Sequence, residues 1–257
     1  MRCYLKIQLL SLVLFCFGFK AFNQTKADSS KLGGEAFPFV RFQFASFLTG
    51  GDFEKSFGNT YTVGGAVGYK TGSNWQIDLE SGYFFGADVK RKDMLNGITN
   101  AAGDATDLDG ELVKLVFDIR AFNVFSSVGK IIPLSNKNQN SGLLIKAGIG
   151  YLQHRIKVDF RDGEVFQLSD EMLKGYDRLH TGIALKQFFG YQYYGRSNLF
   201  NFYFGLEMME GFTINRRGYN YDSRSFDTDR KTDLLYGLRF GWTIPIRQRA
   251  SEEFYYY

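Results

Sequence analysis

The segment Trp75–Phe85 constrains the fold of this chain more than any other stretch, because its side chains alternate in character along its length. One side carries Trp75, Ile77, Leu79, Tyr83 and Phe85, and the other carries Gln76, Asp78, Glu80 and Gly82. A period of two predicts a β-strand with two unlike faces. In a soluble sheet the apolar face packs in the core, whereas in a transmembrane barrel it contacts lipid and the charged face lines the lumen. The rest of the chain must distinguish these two arrangements.

The N-terminal residues have the features of a secretory signal peptide. Arg2 and Lys6 supply positive charge, and Ile7–Phe19 is an apolar stretch that is too short to cross a bilayer as a helix. We therefore predict a cleaved signal peptide at residues 1–22 and a periplasmic segment at residues 23–35.

The composition favours long strands and excludes several functions. The chain has 27 Phe, 16 Tyr and 29 Gly against 3 Pro, a balance typical of close-packed strands. Its 31 basic and 27 acidic residues are interspersed without a basic cluster, which argues against nucleic-acid binding. Both cysteines, Cys3 and Cys16, lie in the predicted signal peptide, so the mature protein has no disulfide, catalytic thiol or cysteine-bound metal.

Eight segments show the alternation that predicts strands. They are Ala36–Phe47, Thr60–Tyr69, Trp75–Phe85, Leu112–Asn123, Gly142–Gln153, Gly182–Tyr194, Leu199–Gly211 and Asp233–Ile246. Short turns alternate with long polar links, as in outer-membrane barrels, although Val124–Ser141 is long on the side of the short turns. We predict an all-β fold, an eight-stranded antiparallel up-and-down transmembrane β-barrel at residues 36–246, with a periplasmic tail at residues 247–257.

In this barrel the aromatic faces contact lipid and the polar faces fill the lumen, because a soluble eight-stranded barrel has too little interior volume for so many aromatic rings. The predicted interior charges are Asp78, Glu80, Lys114, Asp118, Arg120, Lys146, Lys186, Glu207 and Arg239. Asp78 and Glu80 are expected to pair with Lys114, Arg120 or Arg239. The predicted aromatic belt at the periplasmic interface consists of Tyr69, Trp75, Tyr191, Tyr193, Phe200 and Trp242.

Two groups of residues raise the question of an active or metal site. His154 and His180 flank a link that also contains Asp159, Asp162, Ser169 and Asp177, the residue types that a hydrolase at the barrel rim would use. Their spacing singles out no triad, and solvated loop residues are the simpler interpretation. Of two acidic loops, Asp104–Glu111 has Ala105 where a calcium loop requires its first carboxylate, and Asp222–Asp229 is interrupted by Arg224. We therefore predict no enzyme, no metal and no cofactor.

Three peptides combine tyrosine with arginine, as protein contact surfaces do, although each is equally suited to packing against its own barrel. The candidate partner contacts in them are Tyr176, Asp177, Arg178, Arg216, Arg217, Phe254, Tyr255, Tyr256 and Tyr257.

These motifs carry a resemblance. Lys174–Leu179 (KGYDRL), Asn215–Tyr221 (NRRGYNY) and Trp242–Pro245 (WTIP), with the signal peptide and the EEFYYY end, are similar to small outer-membrane barrels of Bacteroidota. The architecture would be like that of OmpA and OmpX. Among such barrels the chain most resembles the accessory barrels of the type IX secretion system, the PorG and Plug-like proteins, although it continues past Ile246, where typical barrels end.

The resemblance implies a non-enzymatic accessory, gating or scaffolding subunit in the outer membrane of a Gram-negative bacterium. Its partners would be outer-membrane lipid and a larger secretion complex, either a translocon or a periplasmic ring. A ligand-binding or adhesive barrel that acts through its long outer loops is the alternative, and a rim-site hydrolase is a further one.

Overall fold

The computed structural model describes residues 34–161, 163, 165–195 and 199–247. The predicted signal peptide and the residues Phe254–Tyr257 lie outside this range. The strands are β1 (Phe37–Gly51), β2 (Thr60–Lys70), β3 (Trp75–Phe85), β4 (Asp104–Thr106), β5 (Leu112–Pro133), β6 (Gly142–Arg161), β7 (His180–Tyr194), β8 (Asn201–Asn215), β9 (Tyr219–Asn220), β10 (Ser225–Phe226) and β11 (Arg230–Pro245).

Eight of these strands form a closed antiparallel ring in the order β1, β2, β3, β5, β6, β7, β8 and β11, with β11 paired to β1. The short β4 lies against the far end of β5, and β9 and β10 form a separate small hairpin. Each long strand pairs with the next long strand along the chain, which is the up-and-down arrangement. The predicted fold class is therefore confirmed.

Among the described residues, helical structure is confined to short pieces in the long links. They are 3-10 turns at Phe53–Lys55, Lys92–Leu95 and Phe166–Leu168 and one α-helical turn, α1, at Asp170–Leu173. Within the described ranges, no helix is long and apolar enough to cross a membrane.

The outer surface of the ring is apolar over a band that circles the barrel. Large hydrophobic side chains point outward from all eight strands, as illustrated by Phe42 on β1, Ile149 on β6 and Phe240 on β11, each more than half exposed. A contiguous apolar surface of this extent is not found facing water in soluble proteins. Charged side chains are buried on the inner surface instead. This inverted distribution is that of a transmembrane barrel.

Two strands extend much further than the sequence patterns predict. β5 continues past Asn123 to Pro133, and β6 continues past Gln153 to Arg161. The prediction that Val124–Ser141 is a long link is wrong, since Ser126, Ser127 and Gly129 obscured the alternation while the backbone still pairs with β3 and β6. Only the segment 134–141 connects β5 to β6.

Candidate functional site: a filled lumen and an outer cap

A cluster of opposite charges fills the centre of the lumen. The Asp78 carboxylate lies 3.2 Å from the Arg41 guanidinium and 3.3 Å from the Lys146 ammonium. Lys146 also lies 3.3 Å from Glu80, which contacts Lys186 as well. Arg41 is 0% exposed and Asp78 is 2% exposed, so these opposite charges pair with one another away from water.

A second ion pair lies on the opposite wall, where Arg239 of β11 donates to Glu207 of β8. The structure thus places six of the nine predicted interior charges in the lumen: Asp78, Glu80, Lys146, Lys186, Glu207 and Arg239. The prediction that Asp78 and Glu80 pair with Lys114, Arg120 or Arg239 is wrong. Their partners are Arg41, Lys146 and Lys186, and Arg239 pairs with Glu207.

Lys114, Asp118 and Arg120 do not point into the lumen, and their assignment as interior charges is wrong. They lie on the outward face of β5, where Lys114 is exposed and Asp118 and Arg120 are partly exposed. All three are on the outer end of β5, above the lipid-facing band. There the outward face meets water, and the inward face packs under the outer loops.

Arg41 is the central lumen cation that the sequence reading missed. Beyond Asp78, it donates hydrogen bonds to Thr243, Gln76 and Gln192 at 3.2 to 3.4 Å. Its guanidinium also stacks over the Tyr203 ring at 4.3 Å. Phenylalanines on both faces of β1 concealed its alternation, but the alternate spacing of Arg41 and Gln43 could have revealed the polar face.

The periplasmic mouth of the lumen is covered by the segment 134–141. The buried Lys70 ammonium donates to the Asn140 side chain at 2.9 Å, and Asn74 donates to a backbone carbonyl of this segment at 2.8 Å. The Asn138 and Ser141 side chains bond to the backbone of Tyr194 on the other side of the barrel. Side chains are therefore buried from the mouth to the centre of the lumen.

The predicted interface aromatics all lie on the outward surface near the short turns. Tyr69, Phe200 and Trp242 are exposed, and Trp75, Tyr191 and Tyr193 are partly exposed. The Trp242 indole donates to the carbonyl of Leu199 at 2.6 Å. Such rings, with an apolar body and a polar edge, suit the boundary between lipid and water.

Above the lipid band the interior changes from polar to apolar. The inward residues at the outer ends of β5 and β6, such as Val113, Ile119 and Ile156, pack against loop residues that include Phe53 and Leu95. The outer loops thereby form a cap with its own hydrophobic core on top of the barrel.

The two histidines lie buried beneath this cap, which corrects their interpretation as solvated loop residues. Their rings stack at 5.1 Å between centroids. His154 Nε2 lies 2.9 Å from Asp233, which also accepts a hydrogen bond from Thr213 at 2.6 Å, while His180 Nδ1 lies 2.7 Å from the carbonyl of Arg178. The extended β6 carries His154 inward, and Phe53 packs edge-on against its ring. These contacts attach the cap to the barrel wall, because Phe53 of the cap packs on His154, which is bound to Asp233 of β11.

The candidate contact residues of the outer loops all make contacts within the chain. The Arg217 guanidinium donates two hydrogen bonds to Asp177, at 2.7 and 3.0 Å, and these bonds raise the pKa of Arg217. Arg178 pairs with Asp222, and Arg216 donates to Thr181. Tyr176 packs edge-on against Tyr221.

The KGYDRL and NRRGYNY peptides therefore form a single unit, which we call the loop clasp (residues 174–179 and 215–221). In it Tyr176, Asp177, Arg178, Arg216 and Arg217 are engaged within the chain. These contacts fit packing against the chain's own barrel, and the role of the five residues as partner contacts stays a prediction, whereas Phe254, Tyr255, Tyr256 and Tyr257 lie outside the described residues.

Asp227 fastens the next part of this loop. It pairs with Lys231 at 2.8 Å and accepts a hydrogen bond from Asn220 at 3.2 Å. Burial alone would raise the pKa of Asp227, but the contacts with Lys231, Asn220 and Asn215 outweigh it and hold the pKa below 3.8.

The acidic loops have local structural roles. Asp107 accepts hydrogen bonds from the backbone of Asp109 and Glu111, which closes the turn before β5. In the part of the chain that the structure describes, no group of three or more acidic, histidine or cysteine side chains is arranged to hold a metal ion.

A closed eight-stranded ring with an apolar outer band and charges inside defines an integral outer-membrane β-barrel. No family model and no curated protein matches the chain. Among solved structures it is similar to Ail, the attachment invasion locus protein of Yersinia pestis, with 9% identity, a TM-score of 0.41, and coverage of 82% of this chain and 99% of that one.

It is also similar to OprG from Pseudomonas aeruginosa, with 16% identity, a TM-score of 0.39, and coverage of 83% of this chain and 98% of that one. Neisserial surface protein A gives 12% identity and a TM-score of 0.39, with coverage of 80% and 97%. Identities and TM-scores this low carry no information on function.

Proposed function

We propose that this protein is a non-enzymatic, non-conducting outer-membrane barrel that acts as an accessory or scaffolding subunit of a protein secretion machinery of the type IX class. In this proposal the functional surfaces of the protein are the two ends and the lipid-facing wall of the barrel, and not the lumen.

The filled lumen is the observation that carries the proposal. An open aqueous channel leaves its lining side chains accessible to water, as in large porins. Here Arg41, Asp78, Lys146 and Arg239 are each at most 3% exposed, and the segment 134–141 lies over the periplasmic mouth. Transport of a polypeptide or a hydrated solute would require these ion pairs to separate, which is costly in a buried environment.

The connection to type IX secretion is supported by the sequence motifs named above. Their loop peptides form the clasp and hold one another, so the segment 134–141 and residues 248–257 are the proposed contacts for a periplasmic partner. The outer cap then closes the extracellular end of the barrel.

Co-purification from native membranes tests this function. A tagged full-length protein should recover secretion components, and either deletion of residues 248–257 or replacement of the segment 134–141 by a short Asn-Gly turn should reduce that recovery. A matched control replaces the exposed part of the outer link at residues 223–225. Recovery of the barrel alone would refute the partner claim, and ion conductance of the purified barrel in a planar bilayer would refute the closed lumen.

A second function is favoured by exposed apolar side chains on the outer loops. Leu108, Phe166 and Phe226 are 78%, 75% and 79% exposed, and they lie on loops beyond the lipid band. Exposed rings and leucines at loop tips suit the binding of an extracellular ligand or surface. Replacing all three by serine should abolish adhesion of whole cells, if this is the function, and leave recovery of secretion components unchanged.

A further inference from the structure

A basic groove lies on the outward surface of the barrel where β3, β5 and β6 leave the lipid band. Its cavity volume is about 470 Å³, and its lining includes Tyr83, Phe122, Arg120, Arg155 and Lys157. None of these side chains belongs to the lumen or to the loop clasp. The groove opens outward, away from the lumen.

Arg120 and Arg155 lie directly opposite each other on neighbouring strands. Like charges in this register repel one another. The Arg120 guanidinium donates to the Tyr83 hydroxyl at 3.0 Å, which holds it in the groove. Two cations are therefore kept side by side at a site where an anion between them would be stabilised.

The carboxylates of the chain satisfy these arginines only loosely. Asp118 lies 3.8 Å from Arg120, and Asp177 lies 3.9 Å from Arg155. Asp177 is already bound by two hydrogen bonds from Arg217 in the loop clasp. Lys157, in contrast, is paired with Asp159 at 2.7 Å. The two guanidinium groups thus retain donors for an external anion.

The height of the groove identifies the source of that anion. Its lower wall is formed by Tyr83 and Phe122, which are exposed to lipid, and its upper wall by charged residues at the outer ends of β5 and β6. The groove is on the long-loop end of the barrel, which faces the outer leaflet. Lipid headgroups occupy this boundary, and arginine forks match phosphate geometry with two parallel hydrogen bonds.

We propose that this groove binds the phosphate of an anionic glycolipid of the outer leaflet. Arg120 and Arg155 hold the phosphate from both sides, and the acyl chains lie along the apolar wall below Phe122. Continuity with the lipid-facing band assigns the occupant as a lipid and not as a soluble anion.

The double variant Arg120→Gln with Arg155→Gln tests the site. Its matched control is Lys114→Gln with Arg161→Gln, which removes a facing pair of cations from the same two strands, further from the lipid band. Both variants lower the net charge equally. The full chain is placed in phosphatidylcholine nanodiscs containing a small fraction of lipid A, and retained lipid is quantified by native mass spectrometry.

The wild type and the control should retain lipid A. The groove variant should retain at least about tenfold less of it, because charge-assisted hydrogen bonds to the phosphate are lost. Lipid A with its phosphates removed should bind the wild type as weakly as the phosphorylated lipid binds the groove variant. This lipid comparison also decides the matter if the groove variant fails to fold.

Three results would overturn the proposal. They are an equal loss in the control variant, equal retention of phosphorylated and dephosphorylated lipid, and complete displacement of the lipid by millimolar inorganic phosphate. The last would assign the site to a free anion. The test is independent of the secretion partner, because it uses only purified barrel and lipid.

Discussion

The exchange of Asp78 for asparagine is the most direct test of the lumen. Asp78 neutralises Arg41 and Lys146, and its two oxygens are 3.2 and 3.3 Å from their donors. Asparagine has nearly the same shape, so the substitution removes the charge while leaving the packing in place.

The magnitude follows from the burial of the partners. At the centre of the lumen the cations Arg41, Lys146, Lys186 and Arg239 face three carboxylates, those of Asp78, Glu80 and Glu207, and the substitution leaves two. Removing one partner of a buried ion pair costs about 3–5 kcal/mol, because the remaining charge is uncompensated. We therefore expect the free energy of unfolding to fall by roughly that amount.

Asp118→Asn is the matched control, because the same chemical change is made at an outward carboxylate. Asp118 lies 3.8 Å from Arg120, and both side chains are about one quarter to one third exposed. An ion pair of this kind contributes about 0–1 kcal/mol. The two aspartates have similar sequence contexts, so the difference between them tests the structure alone.

Urea unfolding of the barrel in lipid vesicles measures both variants. Trp75 and Trp242 lie on the outward surface, so their fluorescence reports the loss of the lipid environment, and heat-modifiable gel migration reports the folded fraction. A double variant with Lys146→Met should lose less than the sum of its single changes, because it removes the unpaired cation. Equal losses for Asp78→Asn and Asp118→Asn would refute the assignment of the lumen.

Three further expectations concern the cap and the barrel wall. Arg217→Gln breaks the loop clasp and should speed chymotrypsin cleavage of the outer loops several-fold, whereas Arg224→Gln, at an exposed loop position, should leave the rate unchanged. Asp227 has a pKa below 3.8 in the folded chain, so its stabilising contacts are complete above pH 3.8 and are lost as the pH falls through the folded pKa. Hydrogen exchange in the loop before β11 should accelerate over that acidic range, and Asp227→Asn should remove the dependence; an unchanged profile in the variant would contradict it. Gly205→Ala places a Cβ 2.4 Å from the Cα of the glycine facing it on β7, and should lower the free energy of unfolding by about 1–3 kcal/mol in the same urea assay. An unchanged free energy of unfolding would contradict this close approach of β7 and β8.

Period-two alternation is a local property, and for this reason the sequence predicted the barrel well. Trp75–Phe85 coincides with β3, and the hairpin after β2 and the outward aromatic belt follow from the same pattern. Alternation assigns residues to two faces of a strand, and the aromatic content indicates which face contacts lipid.

The same alternation does not determine the surroundings of each face, which change along the barrel axis from lipid to water outside and from lumen to cap inside. On β5 the inward residues are polar or small at Asn123 and Ser127 but apolar at Val113 and Ile119, although the parity never changes. Inside the membrane the outer face meets lipid, whereas above it the outer face meets water and the inner face packs under the loops.

That change of surroundings explains why Lys114, Asp118 and Arg120 were misplaced and why the buried histidines looked solvated. The partners of the lumen charges also depend on tertiary structure, because Glu80 on β3 and Lys186 on β7 meet across the lumen only when the ring closes. Sequence periodicity is therefore sufficient for a two-faced strand. The closed ring and its depth in the bilayer determine whether a charge on that strand becomes a lumen ion pair or part of a surface groove.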